Sequence, residues 1–291
     1  MSIVNAREML VEATRKGYAV GAFNITNLIQ LEGVVEAHVE AKAPLIIQTS
    51  VSPVKFLGQE VIAAVYRTIA GKSDIPICLH LDHCTEIDFC KQCADKGWTN
   101  IMIDASKQPF EDNIRQTQEV ASYCHSIGDI TVEGELGTVS GVEDQVKVAE
   151  DETQLCNPDQ ALQFVEETGI DLFAPAIGTA HGVYKTKNPK VDFERLGKIA
   201  KLLNGDKIRT PLVVHGGTGL PEDYVKRLIA NGGAKFNVST DLKRTWIDAV
   251  HEYISANRDE YDPGKLDKFA KNAIKAKVNE WIAMLGSAGK A

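Results

Sequence analysis

Ile77-Cys-Leu-His-Leu-Asp-His83 is an apolar run that turns polar at its C-terminal end. Its length and character fit a buried strand of a parallel sheet. Two other runs behave alike: Phe173-Ala-Pro-Ala-Ile-Gly-Thr-Ala-His181 and Leu212-Val-Val-His215, each followed by glycine. A metal that does chemistry wants three protein ligands and one open position. Histidines at the ends of different parallel strands, with glycines beside them, are how a barrel supplies those ligands.

Working outward, the chain repeats one rhythm. Val4 to Gly17 reads as an amphipathic helix, and Ala19-Val-Gly-Ala-Phe23 as a strand ending at Asn24. Leu28 to Ala43 is helical, and Pro44-Leu-Ile-Ile-Gln-Thr49 is a strand ending near Ser50. The helix Gln59 to Ala70 leads into the strand that carries Asp82. Ile87 to Lys96 is a helix closed by Gly97 as a left-handed cap. Further strands end at Asp104 and Glu135, and others open at Asp171, Leu212 and Lys235. Helices fall between them: Phe110 to Ser126, Pro158 to Glu167, Phe193 to Leu203, and one starting at Pro221. Long helical stretches follow Asp241. Strands alternating with helices imply a parallel sheet. Eight such units predict a single (β/α)8 barrel, an α/β fold, spanning residues 1–291 with extra C-terminal helices.

The polar residues collect at one place in the repeat. Asn24, Ser50, Asp82, His83, Asp104, Glu135, His181, His215 and Asn237 all lie at C-terminal strand ends, the face where a barrel carries its site. Any one alone reads as a cap, but capping does not explain the set. His38, His125 and His251 fall in helical segments and read as packing or surface residues. His80 shares the Asp82 face of its strand and either supports the site or fills the barrel interior. Two turns, His215-Gly-Gly-Thr-Gly219 and Asn237-Val-Ser-Thr240, precede helices after strands 7 and 8. Amides and hydroxyls at helix starts bind phosphate, and these loops are the barrel's usual phosphate site.

Composition sets limits. The chain has 291 residues, 44% hydrophobic and 25% charged, enough for a barrel of about 250 residues plus extensions. A net charge of -8 argues against nucleic acid or an anionic membrane as the main partner. The N-terminus lacks the basic-then-apolar pattern of a secretory signal, no run of eighteen apolar residues occurs, and the six cysteines read as reduced thiols of a cytoplasmic protein. Cys90-Lys-Gln-Cys93 lacks the second pair that a zinc knuckle needs.

Taken in order, the motifs resemble the class II, metal-dependent ketose-bisphosphate aldolases, the fructose- and tagatose-bisphosphate aldolase family. The resemblance runs through Gly21-Ala-Phe-Asn24, His80-Leu-Asp-His83, Ile103-Asp-Ala-Ser106, Gly134-Glu-Leu-Gly137 and Gly141-Val-Glu-Asp144. It continues through Gly178-Thr-Ala-His-Gly182, His215-Gly-Gly-Thr-Gly219 and Asn237 to Gly286-Ser-Ala-Gly-Lys-Ala291. It implies His83, His181 and His215 as catalytic zinc ligands and Asp82 as the acid/base residue. Asp104 and Glu135 match carboxylates of a second divalent position, and Glu143 matches a glutamate that moves the carbon-bound proton. Gly182, Gly216, Gly217, Thr218, Asn237 and Thr240 match the phosphate-binding set, beside which the family often holds a monovalent cation, Na+ or K+. Asn24, Ser50 and Ser239 would line the rest of the substrate pocket. Relatives are homodimers or homotetramers, with the C-terminal helices as the expected contact. Two positions depart from the pattern: Thr218 stands where serine is usual, and Ser239 where many fructose-type members have aspartate.

The chemistry fits. Cleaving a carbon–carbon bond beside a ketone leaves an enediolate, whose charge is held by a Lewis-acid cation or avoided by a lysine Schiff base. The lysine in a predicted strand, Lys235, sits at the start of strand 8, away from the active end, so the metal route is expected. Val139 to Asn157 and Gly182 to Asn188 read as polar loops able to cover the site. Expected products are dihydroxyacetone phosphate and an aldehyde such as glyceraldehyde 3-phosphate. The alternatives are a 6-phospho-5-dehydro-2-deoxygluconate aldolase, a metal-dependent barrel hydrolase and a non-catalytic sugar-phosphate sensor.

Overall fold

The computed structural model describes residues 2–143, 146–148, 153–184, 186, 188–205 and 209–291. The predicted barrel forms. Eight parallel strands close on themselves in the order β1-β10-β9-β8-β5-β4-β3-β2. They are β1 (Val20–Asn24), β2 (Leu45–Ser50), β3 (Ile77–Cys84), β4 (Asn100–Ile103), β5 (Thr131–Leu136), β8 (Leu172–Pro175), β9 (Leu212–Val214) and β10 (Gly233–Val238). Helices α2 (Leu28–Ala41), α4 (Gln59–Ala70), α5 (Ile87–Lys96), α6 (Phe110–Ile127), α7 (Pro158–Thr168), α8 (Phe193–Asn204) and α9 (Glu222–Ala230) alternate with them.

Period-2 alternation sorts the strand residues between two packed surfaces. Leu45, Ile47, Leu79, Leu81, Ile101 and Phe173 face outward into the layer between barrel and helices. Val20, Ile46, Cys78, Leu172 and Val213 face inward at the N-terminal end. There α1 (Arg7–Lys16) plugs the barrel floor with Met9, Leu10 and Ala13. Going up the axis the interior turns polar. Gln48, His80, Glu133 and Lys235 are fully buried, and Asn24, Asp82, Glu135 and Asn237 lie above them. The apolar floor and outer layer hold the barrel, and the polar upper half is left for the site.

The C-terminal helices α10 (Thr240–Ala256) and α11 (Pro263–Leu285) extend the barrel as expected. The α11 helix lies along α2, where Gly33 lets Ile274 and the Lys271 backbone approach closely. The Trp281 indole N–H donates to Asp241 Oδ2 at 2.9 Å, tying α11 to the start of α10. Among the described residues no helix is long and apolar enough to cross a membrane.

Several local readings are corrected. A short helix, α3 (Val51–Leu57), follows β2, where no element is predicted. Its Ser-Pro start carries no amphipathic period long enough to see. The polar loop after β5 contains a two-stranded antiparallel hairpin, β6 (Gly141–Glu143) and β7 (Val146–Val148). Pro221 flanks α9 and is not its first helical residue.

Candidate active site

His83 owes its place to a backbone irregularity. Successive strand residues point to opposite faces, so Asp82 and His83 should not share the barrel interior. The β3–β4 register shifts between Leu81 and Cys84, and His83 takes a left-handed φ of 46°. Strain of this kind persists where the surroundings over-determine it, commonly at functional sites. It turns the His83 ring inward beside Asp82. Donor atoms of His83, His181 and His215 then lie within 4.8 Å of one another, and so do those of His83, Asp104 and Glu135.

Carboxylates orient the rings. Asp104 Oδ2 lies 2.8 Å from His83 Nδ1, and Glu133 Oε1 lies 3.1 Å from His215 Nε2. The remaining nitrogens, His83 Nε2 and His215 Nδ1, face each other at 2.8 Å. Carboxylates behind imidazoles that converge on one point form the usual outer support of a metal site. Among the described residues, buried Glu135 Oε2 makes no hydrogen bond; it lies 3.4 Å from His215 Nδ1, placed to serve as a further oxygen donor.

Charge in this pocket is strongly organised. Against the cost of burial, the carboxylates of Asp82, Asp104 and Glu135 raise His83 well above the ordinary imidazole range. Burial, together with His83, holds His181 well below that range. Burial and the Asp104 carboxylate push Glu135 well above the usual carboxylate range. Against burial, hydrogen bonds from His83 and Ser106 keep Asp104 low. The Asp82 and Asp104 carboxylates put negative charge beside the three rings, where a cation would be favoured. Three imidazoles with carboxylates at the rim are the donor set for a divalent ion, and the residues fit one.

Asp82 is fixed from both sides. Asn24 Nδ2 donates to its Oδ2 at 3.0 Å, and Asn237 Nδ2 donates to its Oδ1 at 3.1 Å. Gln48 Nε2 in turn donates to Asn24 Oδ1 at 2.7 Å. Against burial, His83, His80 and Lys235 keep the Asp82 carboxyl well below its usual range, so it is an anion. Asn24 and Asn237 are expected at the substrate and phosphate. Their amide groups are on Asp82, while Asn237 Oδ1 makes no hydrogen bond among the described residues.

The glycine-rich turns meet beside the histidines. Gly216 has a φ of 69°, and a Cβ there would lie 2.5 Å from the Ala180 carbonyl oxygen. Only glycine lets these two loops touch. Tyr184 ties them further: it accepts from Ala180 N at 3.0 Å and donates to Gly216 O at 2.8 Å. His181 N donates to Ser140 O at 2.7 Å, joining the loop after β5 to the same group. A Cβ on Gly217 would lie 2.8 Å from the Asn237 carbonyl oxygen, and Thr218 Oγ1 accepts from Asp241 N at 3.4 Å, linking this turn to the start of α10. Ser239 and Thr240 lie at that helix start, and buried Ser239 Oγ has no hydrogen-bond partner among the described residues. Gly182 follows His181 with open space at its α-carbon.

Ser50 is buried on β2, in register with Asp82. Glu143 lies on β6, but its side chain falls outside the described residues, as do parts of both predicted covering loops. Lys235 lies on β10 two residues before Asn237. It is fully buried inside the barrel, and its Nζ lies 2.8 Å from Glu133 Oε2 and 3.3 Å from His80 Nε2. No sequence motif marks Glu133; its only signal is its spacing, two residues before Glu135 on one strand face.

The class-II fructose-bisphosphate aldolase family model matches residues 4–290. A fructose-bisphosphate aldolase of Geobacillus stearothermophilus is 40% identical, covering 100% of this chain and 99% of its own. One from Helicobacter pylori (strain ATCC 700392 / 26695) is 37% identical, with 99% of each chain covered. The YdjI aldolase of Escherichia coli K12 superposes with a TM-score of 0.85 at 33% identity, covering 99% of both chains. With a whole-length family match and relatives above a third identity, the chain belongs to the class II fructose-bisphosphate aldolase family.

Proposed function

We propose that His83, His181 and His215 hold the divalent cation of this metal-dependent aldolase, that the ion is zinc, and that Asp82 is its acid/base residue. The enzyme carries out aldol cleavage and condensation of a ketose bisphosphate, as its family does. The hydrolase and sensor readings are not favoured. The observation that carries the assignment is the convergence of three imidazoles, each held by its own loop or strand, beside a carboxylate held by two amides. When bound, the cation supplies Lewis-acid stabilisation of charge developing on the ketone fragment.

The chain's own groups do the rest. In cleavage Asp82 takes the proton from the C4 hydroxyl, and in condensation it returns that proton to the aldehyde oxygen. Its anionic form suits the first role. The two amides keep the carboxylate from swinging onto the cation, so proton transfer and metal binding stay with different residues. Glu143 is assigned the carbon-bound proton on the family resemblance. Gly182, Gly216, Gly217, Thr218, Asn237 and Thr240 are assigned the phosphate on the ketone side, at the start of α10. Asn24, Ser50 and Ser239 are assigned the remainder of the substrate. Buried Ser239 Oγ supports this, because an unpartnered hydroxyl at that position can donate to a ligand. Asp104 and Glu135 would hold a second divalent ion, and a monovalent cation, Na+ or K+, would lie beside the phosphate. The products are dihydroxyacetone phosphate and an aldehyde such as glyceraldehyde 3-phosphate. A homodimer or homotetramer formed through the C-terminal helices, in the cytoplasm, completes the proposal. The described cysteines are all free thiols, as a reducing compartment would keep them.

The test is metal dependence across a panel of phosphorylated ketoses. Chelation abolishes triose-phosphate release, zinc or cobalt restores it, and borohydride with substrate does not inactivate. Activity that survives the chelator, or a lysine trapped by borohydride, would overturn the assignment. Relative kcat/KM across fructose, tagatose and deoxygluconate-type substrates identifies the aldehyde half.

A further inference from the structure

We infer that Glu133, anchored by Lys235, is a positioning residue that fixes His215 as an Nδ1 metal ligand and so sets the affinity of the site for its cation. This rests on the reading of His215 as a ligand. A neutral imidazole carries one N–H. In His215 that proton is spent on Glu133: the ring Nε2 donates to Oε1 at 3.1 Å. Nδ1 keeps its lone pair, and Nδ1 is the atom that faces His83 Nε2 at 2.8 Å. A ring turned over, or protonated on Nδ1, would bring no donor to the convergence point.

Lys235 makes this arrangement hold. Its Nζ donates to both Glu133 oxygens, at 2.8 and 3.1 Å, and both side chains are fully buried. The ammonium keeps the carboxylate anionic and occupies the oxygens through which Glu133 could turn to the cation itself. Glu133 is accordingly absent from the groups whose donor atoms converge, whereas Glu135, one pleat higher on β5, is among them. The same layer holds His80, whose Nδ1 accepts from Asn100 Nδ2 at 2.7 Å and whose Nε2 lies 3.8 Å from Asp82 Oδ1. The buried pair therefore stands under both the ligand and the acid/base residue.

The plainer reading is that the pair merely fills the barrel. A buried ion pair gains little stability over apolar residues of the same volume. One layer down, Val20, Ile46, Cys78, Leu172 and Val213 fill the interior without any charge. Filling alone does not call for Glu and Lys at this height. One hydrogen bond from His215 does.

The experiment compares Glu133→Gln and the double variant Glu133→Leu with Lys235→Met against the parent and His215→Ala. Zinc dissociation constants are read by chelator competition, the ligand field by the visible spectrum of the cobalt form, and folding by thermal melts of the metal-free proteins. Loss of an outer-shell partner typically weakens metal binding 10–100-fold. Glu133→Gln should fall in that range with an altered cobalt spectrum. The double variant has no buried charge left uncompensated. It should melt like the parent without metal and still bind zinc at least tenfold more weakly. A double variant with parental melting, parental zinc affinity and an unchanged cobalt spectrum would overturn the positioning role. If His215→Ala kept parental zinc affinity, the ligand assignment itself would have failed, and that outcome is read independently of Glu133.

Discussion

Asp82 shows what the site demands of one residue. In its proposed role it accepts a proton, which calls for an anion, and it has to stay off the cation proposed at the neighbouring His83. The hydrogen bonds from Asn24 and Asn237 meet both demands by stabilising the charge and fixing the carboxylate plane. Replacing Asp82 with Ala should therefore remove turnover and leave metal binding in place. A loss of order 10²–10⁴-fold in kcat is expected for a general acid or base. Zinc content by atomic absorption should stay at the parental stoichiometry. An Asp82→Ala protein purified without zinc would show that Asp82 and the ligands are not separate in role.

At the scale of elements, α2 offers a titration independent of the site. His38 is fully buried on this helix, its Nδ1 donating to the Val34 carbonyl oxygen at 2.8 Å and its ring edge-on to Phe23 of β1. Burial pushes it down from 6.5 to about 4, with the Val34 carbonyl partly opposing. The unfolded chain thus binds a proton below about pH 6.5 that the folded chain refuses until about pH 4. Stability conferred by the neutral ring is complete above the unfolded value and is lost as pH falls through this window. The effect is on the order of 3 kcal/mol. Urea melts of the metal-free protein at pH 7 and pH 4.5 should show the parent losing more stability than His38→Leu does. Equal losses in the two proteins would mean that His38 is not neutral in the fold.

For the whole molecule, we propose that residues 1–291 fold as one barrel domain. The apolar floor sealed by α1 and the belt of helices form surfaces that no strand–helix unit completes alone. The three histidines come from β3 and from the segments after β8 and β9, so the site exists only when the barrel is closed. Thermal unfolding should follow one transition, coincident by near-ultraviolet and far-ultraviolet circular dichroism. Its midpoint should rise with free zinc, by about 2.7 kcal/mol of added stability at a hundredfold excess over the dissociation constant. Two separated transitions, or a midpoint indifferent to zinc, would contradict this.

Much of this was already legible in the chain. Strand–helix alternation follows from local periodicity, so the (β/α)8 barrel and the end that carries the site could be read directly. His83, His181 and His215 were visible because each breaks an apolar run where the fold presents its active face. Other features depend on what meets across the barrel, and no local pattern reports that. The left-handed turn at His83 places two adjacent residues on one face against the strand's own alternation. Asn24 and Asn237 are legible as site residues, but that both donate their amides to Asp82 is seen only in the fold. Lys235 looks remote from the site at the start of its strand, yet the tilt and closure of the sheet put it against Glu133, 102 residues away in sequence. Sequence specifies which faces are buried and where the chemistry stands, through side-chain period and strand ends. Which buried charge answers which is settled only by closing the barrel, because every strand contributes to one interior.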